Sequence, residues 1–107
     1  PSANDALINI YDCEPFQNFT YWSQHLFLFN ISTLTKLIRQ SGLNVISVEN
    51  YQRYPLSNHL YWLSQGKPGG HQSWSFLDSD ELDSAYANSL AALGMTDTII
   101  AHAELPS

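Results

Sequence analysis

Apolar residues recur at helical spacing near the start of the chain. Asn4 or Asp5 can cap a short helix there, whose apolar positions are Ala6, Leu7, Ile10 and Tyr11. Pro15 disfavours a helical Glu14, so this helix is not expected to continue past that residue. Residues 16–29 are dense in aromatic side chains and lack a clear period. They predict a buried loop followed by a short extended piece.

Two longer helices have clear start and stop signals. One begins at Asn30 or Ser32 and stops at Gly42, and its shared face holds Leu34, Leu37, Ile38 and Ser41. The other opens on Asp78 with Glu81 three residues later, which is the spacing of a capping box, and it stops at Gly94. Its shared face comprises Leu82, Ala85, Tyr86, Ser89, Leu90 and Leu93.

Two segments read as strands. Residues 43–51 are rich in β-formers, and residues 97–105 alternate, with Ile99, Ala101, Ala103 and Leu105 on one side and His102 on the other. Between the strands, Pro55 starts a turn, and Ser57 or Asn58 can cap a short helix over residues 59–64. The following Gly66, Pro68, Gly69 and Gly70 predict an irregular loop.

The order of these elements indicates an α/β fold with two strands and three to four helices. Residues 1–107 form a single unit, and two strands are too few for an independent sheet. The chain also opens without Met, on Pro1-Ser2-Ala3-Asn4-Asp5. We therefore expect a piece of a longer domain, whose remaining strands lie elsewhere.

Composition narrows the possible partners. Charged residues make up 13% of the chain, about half of the ~25% usual for soluble domains, so some aromatic surface is expected to face a partner. The net charge of −6 and only four Lys and Arg argue against nucleic-acid binding. No apolar run is long enough to span a membrane. Cys13 is unpaired, which suits a cytoplasmic protein.

The segment from Asn50 to His71 has the composition of a binding site. Its 22 residues include one Arg, one Lys, two His, three Tyr, one Trp and three Gly. A solvated loop would be richer in Ser, Asp and Glu, whereas a core segment would lack the charged and amide side chains. The mixture predicts the wall of a polar pocket.

Several motifs resemble the C-terminal half of Rossmann-like methyltransferases. The segments that carry this resemblance are Tyr21-Trp22-Ser23-Gln24-His25-Leu26-Phe27-Leu28-Phe29, Thr33-Leu34, Gly42-Leu43-Asn44-Val45 and the opening Pro1-Ser2-Ala3-Asn4-Asp5. Residues 53–63, residues 66–71 and the ending Thr96-Asp97-Thr98-Ile99-Ile100-Ala101 are similar to one uncharacterised subfamily. The resemblance covers nearly the whole chain.

What the resemblance implies is the substrate-side half of an S-adenosylmethionine-dependent methyltransferase acting on a small polar acceptor, such as a sugar or sugar-nucleotide. It also implies that the last two strands are antiparallel. The superfamily's methyl-donor signature, a Gly-rich turn after a first strand, has no match here, since Gly69-Gly70 lies in a late loop. The chain alone is therefore expected to be inactive, with S-adenosylmethionine bound mainly by residues outside it.

Two histidines are candidates for the catalytic base. Imidazole has suitable basicity near neutral pH, and His25 and His59 both lie in pocket-like segments. A structural hydrogen bond is the alternative role for each. His71 is expected in a loop and His102 on the surface. Metal binding is not expected, because the His residues lack helical ligand spacing.

Four further residues are candidates for substrate binding. Arg53 can hold a phosphate or carboxylate of the acceptor, or else pair with Glu49. Asn58 can orient a hydroxyl or cap a helix. Tyr21 and Trp22 can line the pocket or belong to the aromatic core.

Two other functions compete with the enzyme. The chain can be a non-enzymatic module that holds a protein through its Tyr and Trp surface, or a carbohydrate-binding domain built on Trp22, Trp62 and Trp74. In the enzyme hypothesis, unpaired strand edges and apolar helix faces are expected to make the chain self-associate as a symmetric homodimer.

Overall fold

The computed structural model of the chain describes residues 1–22 and 28–106, with the side chain of Trp22 left out. Its elements, in chain order, are α1 (Ala6–Asn9), α2 (Glu14–Trp22), α3 (Ile31–Gln40), β1 (Asn44–Tyr51), α4 (Leu56–Gln65), α5 (Gly70–Ser73), a 3₁₀ turn (Ser75–Leu77), α6 (Asp80–Leu93) and β2 (Thr98–Glu104). The α/β class is confirmed. The described residues hold six α-helices, however, and not three to four.

The two strands form an antiparallel pair, as expected. Their register runs from Asn44 opposite Glu104 to Tyr51 opposite Thr98, with an irregularity at Ile46. Near the end of this ladder, the backbone N–H of Ser2 donates to the carbonyl oxygen of Asp97 at 2.9 Å. The start of the chain is thereby held beside the residue that precedes β2.

Helix α2 replaces the loop predicted after Glu14. Pro15 is its second residue, and proline is tolerated in the first turn, where the backbone N–H has no intrahelical acceptor in any case. The prediction was wrong because it treated Pro15 as a stop signal when it lies at a helix start. The helix turns Phe16 and Phe19 toward Trp62, and both ring centroids lie 5.2 Å from that of Trp62.

The predicted caps are correct for two helices and displaced for two others. Asp5 caps α1 and Asn30 caps α3. Helix α6 is capped by Ser79 and not by Asp78, whose carboxylate accepts a 2.7 Å hydrogen bond from the hydroxyl of Ser57 instead. Helix α4 begins one turn earlier than predicted, so Ser57 lies inside it, buried.

The Gly-rich segment after α4 also differs from the prediction, because Gly70 begins the short helix α5. This helix lies so close to α4 that a Cβ added at Gly70 would overlap the Cβ of Tyr61 and come within 2.7 Å of the carbonyl oxygen of Ser57. The absence of a side chain at Gly70 is what allows the two helices to approach.

A small core lies at the α1–α2–α4 end of the molecule. Leu7, Cys13 and Trp62 form it, with Tyr11 and Phe16 packed against them. Several large apolar side chains are exposed, among them Ile46, Phe76, Leu93 and Leu105. Within the described residues, no helix is both long enough and apolar enough to cross a membrane.

Candidate functional site

A cavity of about 350 Å³ lies beside the core. Helix α2 and helix α4 form its apolar wall, and the segments that precede α1, α4 and β2 contribute polar groups. The side chains that matter for its chemistry are Asp5, Arg53, Asn58, His59, His71 and Asp97. A volume of this size suits a small ligand.

Three of the predicted site residues meet in this cavity: Arg53, Asn58 and His59. Tyr21 does not line it, because helix α2 presents Phe16, Phe19 and Thr20 to the cavity and leaves Tyr21 more than half exposed. Tyr21 is therefore not a lining residue of this cavity, and its role in substrate binding stays a prediction.

The two remaining candidates cannot be placed. His25 and the side chain of Trp22 lie outside the described residues. His71, expected in a loop, lies in α5 and lines the cavity, with its ring centroid 5.1 Å from that of Tyr54. His102 is exposed on β2, as predicted.

His59 is held by hydrogen bonds on both ring nitrogens. Its Nδ1 lies 2.6 Å from the hydroxyl oxygen of Tyr86, which in turn lies 2.7 Å from the hydroxyl oxygen of Tyr11. Its Nε2 lies 3.4 Å from Nε2 of Gln52. The ring is 1% exposed, so these contacts define its chemistry.

The orientation of Gln52 determines which nitrogen of His59 carries the proton. Oε1 of Gln52 accepts from the backbone N–H of Asp97 at 3.0 Å, and its Nε2 donates to Oδ2 of Asp97 and to the carbonyl oxygen of Tyr54. Both amide hydrogens of Gln52 are therefore donated to other atoms. Nε2 of His59 faces this N–H group, so it acts as a hydrogen-bond acceptor, and the hydrogen bond that it receives is weak. The ring proton is therefore on Nδ1 and is donated to Tyr86.

Burial keeps this network neutral. It lowers the pKa of His59 to about 4, so the imidazole carries no charge at neutral pH. Burial, followed by the hydrogen bond with Tyr11, raises the pKa of Tyr86 above its usual value. Tyr86 thus keeps its proton and donates it to Tyr11, which completes a directed chain of hydrogen bonds starting at His59.

Asp97 organises the backbone around the cavity. Its Oδ1 accepts from the backbone N–H of Arg53 at 2.8 Å and from the hydroxyl of Thr98 at 2.9 Å. Its Oδ2 accepts from Gln52 and from the backbone N–H of Tyr54 at 2.9 Å. With four donors, this carboxylate has little remaining capacity for a ligand.

Asp5 differs from Asp97 in having an oxygen to spare. Its Oδ1 accepts from the backbone N–H of Leu7 at 2.9 Å, and no other group in the described part of the chain bonds to the carboxylate. The side chain is 4% exposed and lines the cavity. Burial, reinforced by the charge of Asp97, raises the pKa of Asp5 to about 6.

Three further polar groups of the cavity have no described hydrogen-bond partner, and one of them is the buried Nδ1 of His71. The Asn58 amide is 95% removed from solvent by its position in α4, yet it bonds to none of the described residues. The Arg53 guanidinium is exposed and lies over the ring of Tyr54, with Cζ 5.2 Å from the centroid. Among the described residues no acid pairs with Arg53, so the predicted alternative of an ion pair with Glu49 is not found.

The sequence analysis missed Asp5 as a site residue and also missed Gln52, Tyr86 and Asp97. One signal was present: the antiparallel register that pairs Tyr51 with Thr98 places Gln52 opposite Asp97. Tyr86 gave no comparable signal, because its distance from His59 depends on how α6 packs against α4.

The residues described form neither a three-ligand metal site nor the Gly-rich turn after a first strand that is typical of the superfamily's methyl-donor site. Within residues 1–22 and 28–106 no group of three or more His, Cys, Asp or Glu could hold a metal ion. Gly69 caps α5 and Gly70 begins it, so this glycine pair follows a helix and not a strand. It therefore does not form the strand-to-helix turn at which the superfamily holds its methyl donor. These residues do not fit S-adenosylmethionine.

Comparison with protein-family models, with curated proteins and with solved structures finds no match for this chain. What can be said of its class therefore comes from the fold and the cavity. It is an α/β unit with a two-stranded antiparallel sheet and a small cavity that combines an aromatic wall with buried polar groups.

Proposed function

We propose that this cavity binds the small-molecule acceptor of an S-adenosylmethionine-dependent methyltransferase, to which the chain contributes the substrate side. The observation that carries the proposal is the pair of buried polar side chains, Asp5 and Asn58, that line the cavity with hydrogen-bonding capacity unused by the described residues. Buried polar groups are rarely left unpaired unless water or a ligand completes them.

The residues of the cavity suit three tasks in acceptor binding. Arg53 can hold an anionic group at the exposed rim, since its guanidinium has no acidic partner among the described residues. Asn58 can orient a polar group, and the weakly satisfied Nε2 of neutral His59 can accept a hydrogen bond. The aromatic wall of Phe16, Phe19 and Trp62 excludes water from one side.

The methyl donor is assigned to residues other than those described. In the proposal, the chain fixes the acceptor atom, which is the part of such a reaction that depends on positioning. The compartment is proposed to be the cytoplasm.

A direct test uses the complete protein as its gene encodes it. The protein is incubated with radiolabelled S-adenosylmethionine and a panel of small hydroxyl and amino compounds, and label in the small-molecule fraction is counted. We expect transfer that falls at least about tenfold in Arg53→Met and in Asn58→Leu, because each removes a contact to the acceptor. Arg39→Met is the matched control, since Arg39 is exposed on α3 away from the cavity.

Calorimetry with S-adenosylmethionine gives the second measurement. If the complete protein neither binds S-adenosylmethionine nor transfers its methyl group to any compound of the panel, the proposal is wrong. A protein-binding role would then be favoured by the exposed apolar side chains of Ile46, Phe76 and Leu105. In the carbohydrate alternative, Trp62 could not act as an outer-surface stacking residue, because it is 3% exposed and lines the cavity instead.

A further inference from the structure

The interior of the cavity contains hydrogen-bond acceptors that lack donors. Asp5 has one carboxylate oxygen with no described partner, and Nε2 of His59 is only weakly satisfied because both amide hydrogens of Gln52 go to other atoms. The four donors on Asp97 are all supplied by the protein itself. A ligand group that bonds to Asp5 or to Nε2 of His59 must therefore bring an N–H or O–H donor of its own, whereas the Asn58 amide can both donate and accept.

Charge favours an ammonium group over a hydroxyl. Two carboxylates, those of Asp5 and Asp97, line the cavity, and the chain as a whole carries a net charge of −6. The cavity also has an aromatic wall, formed by Phe16, Phe19 and Trp62. Aromatic faces attract organic cations, and a carboxylate with a free oxygen adds a charge-assisted hydrogen bond.

Asp5 has a structural role that Asn could fill equally well. Its Oδ1 caps α1, and Asn caps helices about as well as Asp does. A buried carboxylate is much more unfavourable than a buried amide unless something neutralises it. The amino group of Pro1 supplies part of this compensation, and a cation that occupies the cavity would supply the rest.

We propose that the cavity binds the amino group of its ligand in the protonated form, with the ammonium held between the free carboxylate oxygen of Asp5 and the aromatic wall formed by Phe16, Phe19 and Trp62. This inference relies on the proposed function only in taking the same cavity as the acceptor site. It narrows the acceptor class to small molecules that carry a primary or secondary amine.

The test compares two probes of nearly the same shape on the full 107-residue chain. Benzylamine presents an ammonium group, and benzyl alcohol presents a neutral hydroxyl on the same ring. Binding is followed by calorimetry and by chemical-shift changes of the Trp62 indole and the Asp5 amide in NMR spectra. We expect benzylamine to bind at least about tenfold more tightly at neutral pH, in line with the strength of a charge-assisted hydrogen bond in a shielded site.

Two variants test whether Asp5 causes the preference for benzylamine over benzyl alcohol. Asp5→Asn keeps the cap on α1 and removes the charge, so the advantage of benzylamine should disappear while the affinity for benzyl alcohol changes little. Glu104→Gln removes the same charge from the exposed end of β2 and should leave the preference intact. Equal affinities for the two probes in the unmodified chain, or a preference that survives in Asp5→Asn, would overturn the inference.

The pH dependence provides an independent readout. Asp5 also interacts electrostatically with Asp97, with Tyr86 and with the amino group of Pro1. The other titratable groups that line the cavity are Arg53, Tyr54, His59 and His71. Benzylamine stays protonated in acid, so its affinity should fall as the pH drops through about 6 and Asp5 gains a proton. An affinity for benzylamine that stays constant from neutral pH to below the pKa of Asp5 contradicts the inference.

The inference and the proposed function can fail separately. A complete protein that methylates hydroxyl compounds and shows no preference for benzylamine would overturn the inference and leave the methyltransferase proposal standing. If the complete protein does not bind S-adenosylmethionine but prefers benzylamine in a way that depends on Asp5, the methyltransferase proposal is wrong and the inference stands.

Discussion

Asp5 shows how one residue can stabilise a helix and destabilise the folded protein at the same time. Its Oδ1 accepts from Leu7 N–H, which stabilises α1, but burial raises its pKa from 3.8 to about 6. The folded protein therefore binds a proton at Asp5 more tightly than the unfolded chain does. By linkage, folding stability falls as the pH rises from 3.8 through 6.

We expect Asp5→Asn to stabilise the protein above pH 6. The amide retains the cap and removes the buried charge, so the free energy of unfolding should rise by up to about 3 kcal/mol, the equivalent of a shift of roughly two pKa units. The gain should shrink on acidification and be nearly lost at the pH where Asp5 is protonated in both states. Urea denaturation at several pH values measures it.

Asp5→Ala is the control for the cap. It removes the charge and the hydrogen-bond acceptor together, so it should be less stable than Asp5→Asn by about 1 kcal/mol, the usual value of an N-cap side chain. If Asp5→Asn is instead less stable than the unmodified chain at alkaline pH, the carboxylate is better solvated or better paired than the structure indicates.

His59 responds to pH in the opposite sense. Burial lowers its pKa from 6.5 to about 4, so the folded protein resists protonation of this ring. The stability that depends on neutral His59 is complete above pH 6.5 and is lost as the pH falls toward 4. As the pH falls through much of the same range, protonation of Asp5 raises the stability of the folded protein. The contributions of Asp5 and His59 therefore largely offset each other in the unmodified chain.

The opposing effects of Asp5 and His59 on the pH dependence of stability lead to a second prediction. In Asp5→Asn, the contribution of His59 is no longer masked, so the free energy of unfolding should fall by about 3 kcal/mol more than in the unmodified chain between pH 6.5 and pH 4. Adding His59→Asn to Asp5→Asn should remove most of this excess loss. An Asp5→Asn protein whose pH profile parallels that of the unmodified chain would show that the two groups do not oppose each other.

At the scale of elements, Pro15 explains the largest error of the sequence analysis. Proline stops a helix at its interior but is favourable at its first turn, and the local sequence does not say which of these applies. Packing favours the helix over the loop, because a helix over residues 14–22 brings Phe16 and Phe19 against Trp62. A loop would leave one side of the cavity without its wall.

The contact between α4 and α5 yields a prediction for Gly70. A methyl group there meets backbone atoms of α4, including the carbonyl oxygen of Ser57 at 2.7 Å and the Cα of Asn58 at 2.8 Å. Because backbone cannot rotate away, Gly70→Ala should destabilise the protein by about 2 kcal/mol or more, within the range for overpacking. Thermal unfolding provides the measurement.

Ser73→Ala is the matched control, since Ser73 is exposed in the same helix. It should change the free energy of unfolding by less than about 0.5 kcal/mol, as is usual for surface positions. Equal effects of Gly70→Ala and Ser73→Ala would mean that α5 can move away from α4 without loss.

At the scale of the whole molecule, the chain is elongated and its core is small. Its principal extents are 49 × 32 × 21 Å and its radius of gyration is 15.2 Å, compared with about 13 Å for a compact domain of this length. Helix α3 has no buried residue, and Ile46 on β1 is 62% exposed. Within the described residues the sheet has two strands, so β1 has an unpaired outer edge.

We expect this edge to make the chain self-associate as a symmetric dimer. Strand edges with exposed apolar residues tend to pair with further strands, and a charged residue on the edge strand prevents this pairing. Ile46→Lys should therefore weaken association at least about tenfold, as measured by sedimentation or by light scattering over a concentration series. Ser64→Lys, on the exposed part of α4, should leave it unchanged. A monomeric unmodified chain at high concentration would contradict the prediction.

The sequence alone determined the parts of this protein that depend on neighbouring residues. Caps and glycine stops fixed α1 and α3, alternation fixed β2, and the crowded segment after β1 identified Arg53, Asn58 and His59 because they lie within seven positions of one another. Only the tertiary structure brought Asp5, Tyr86 and Asp97 to this segment. The burial of Asp5 and Tyr86 and the raised pKa values of both follow from contacts between residues as far apart as 75 positions, and no local pattern encodes the free energy of such contacts.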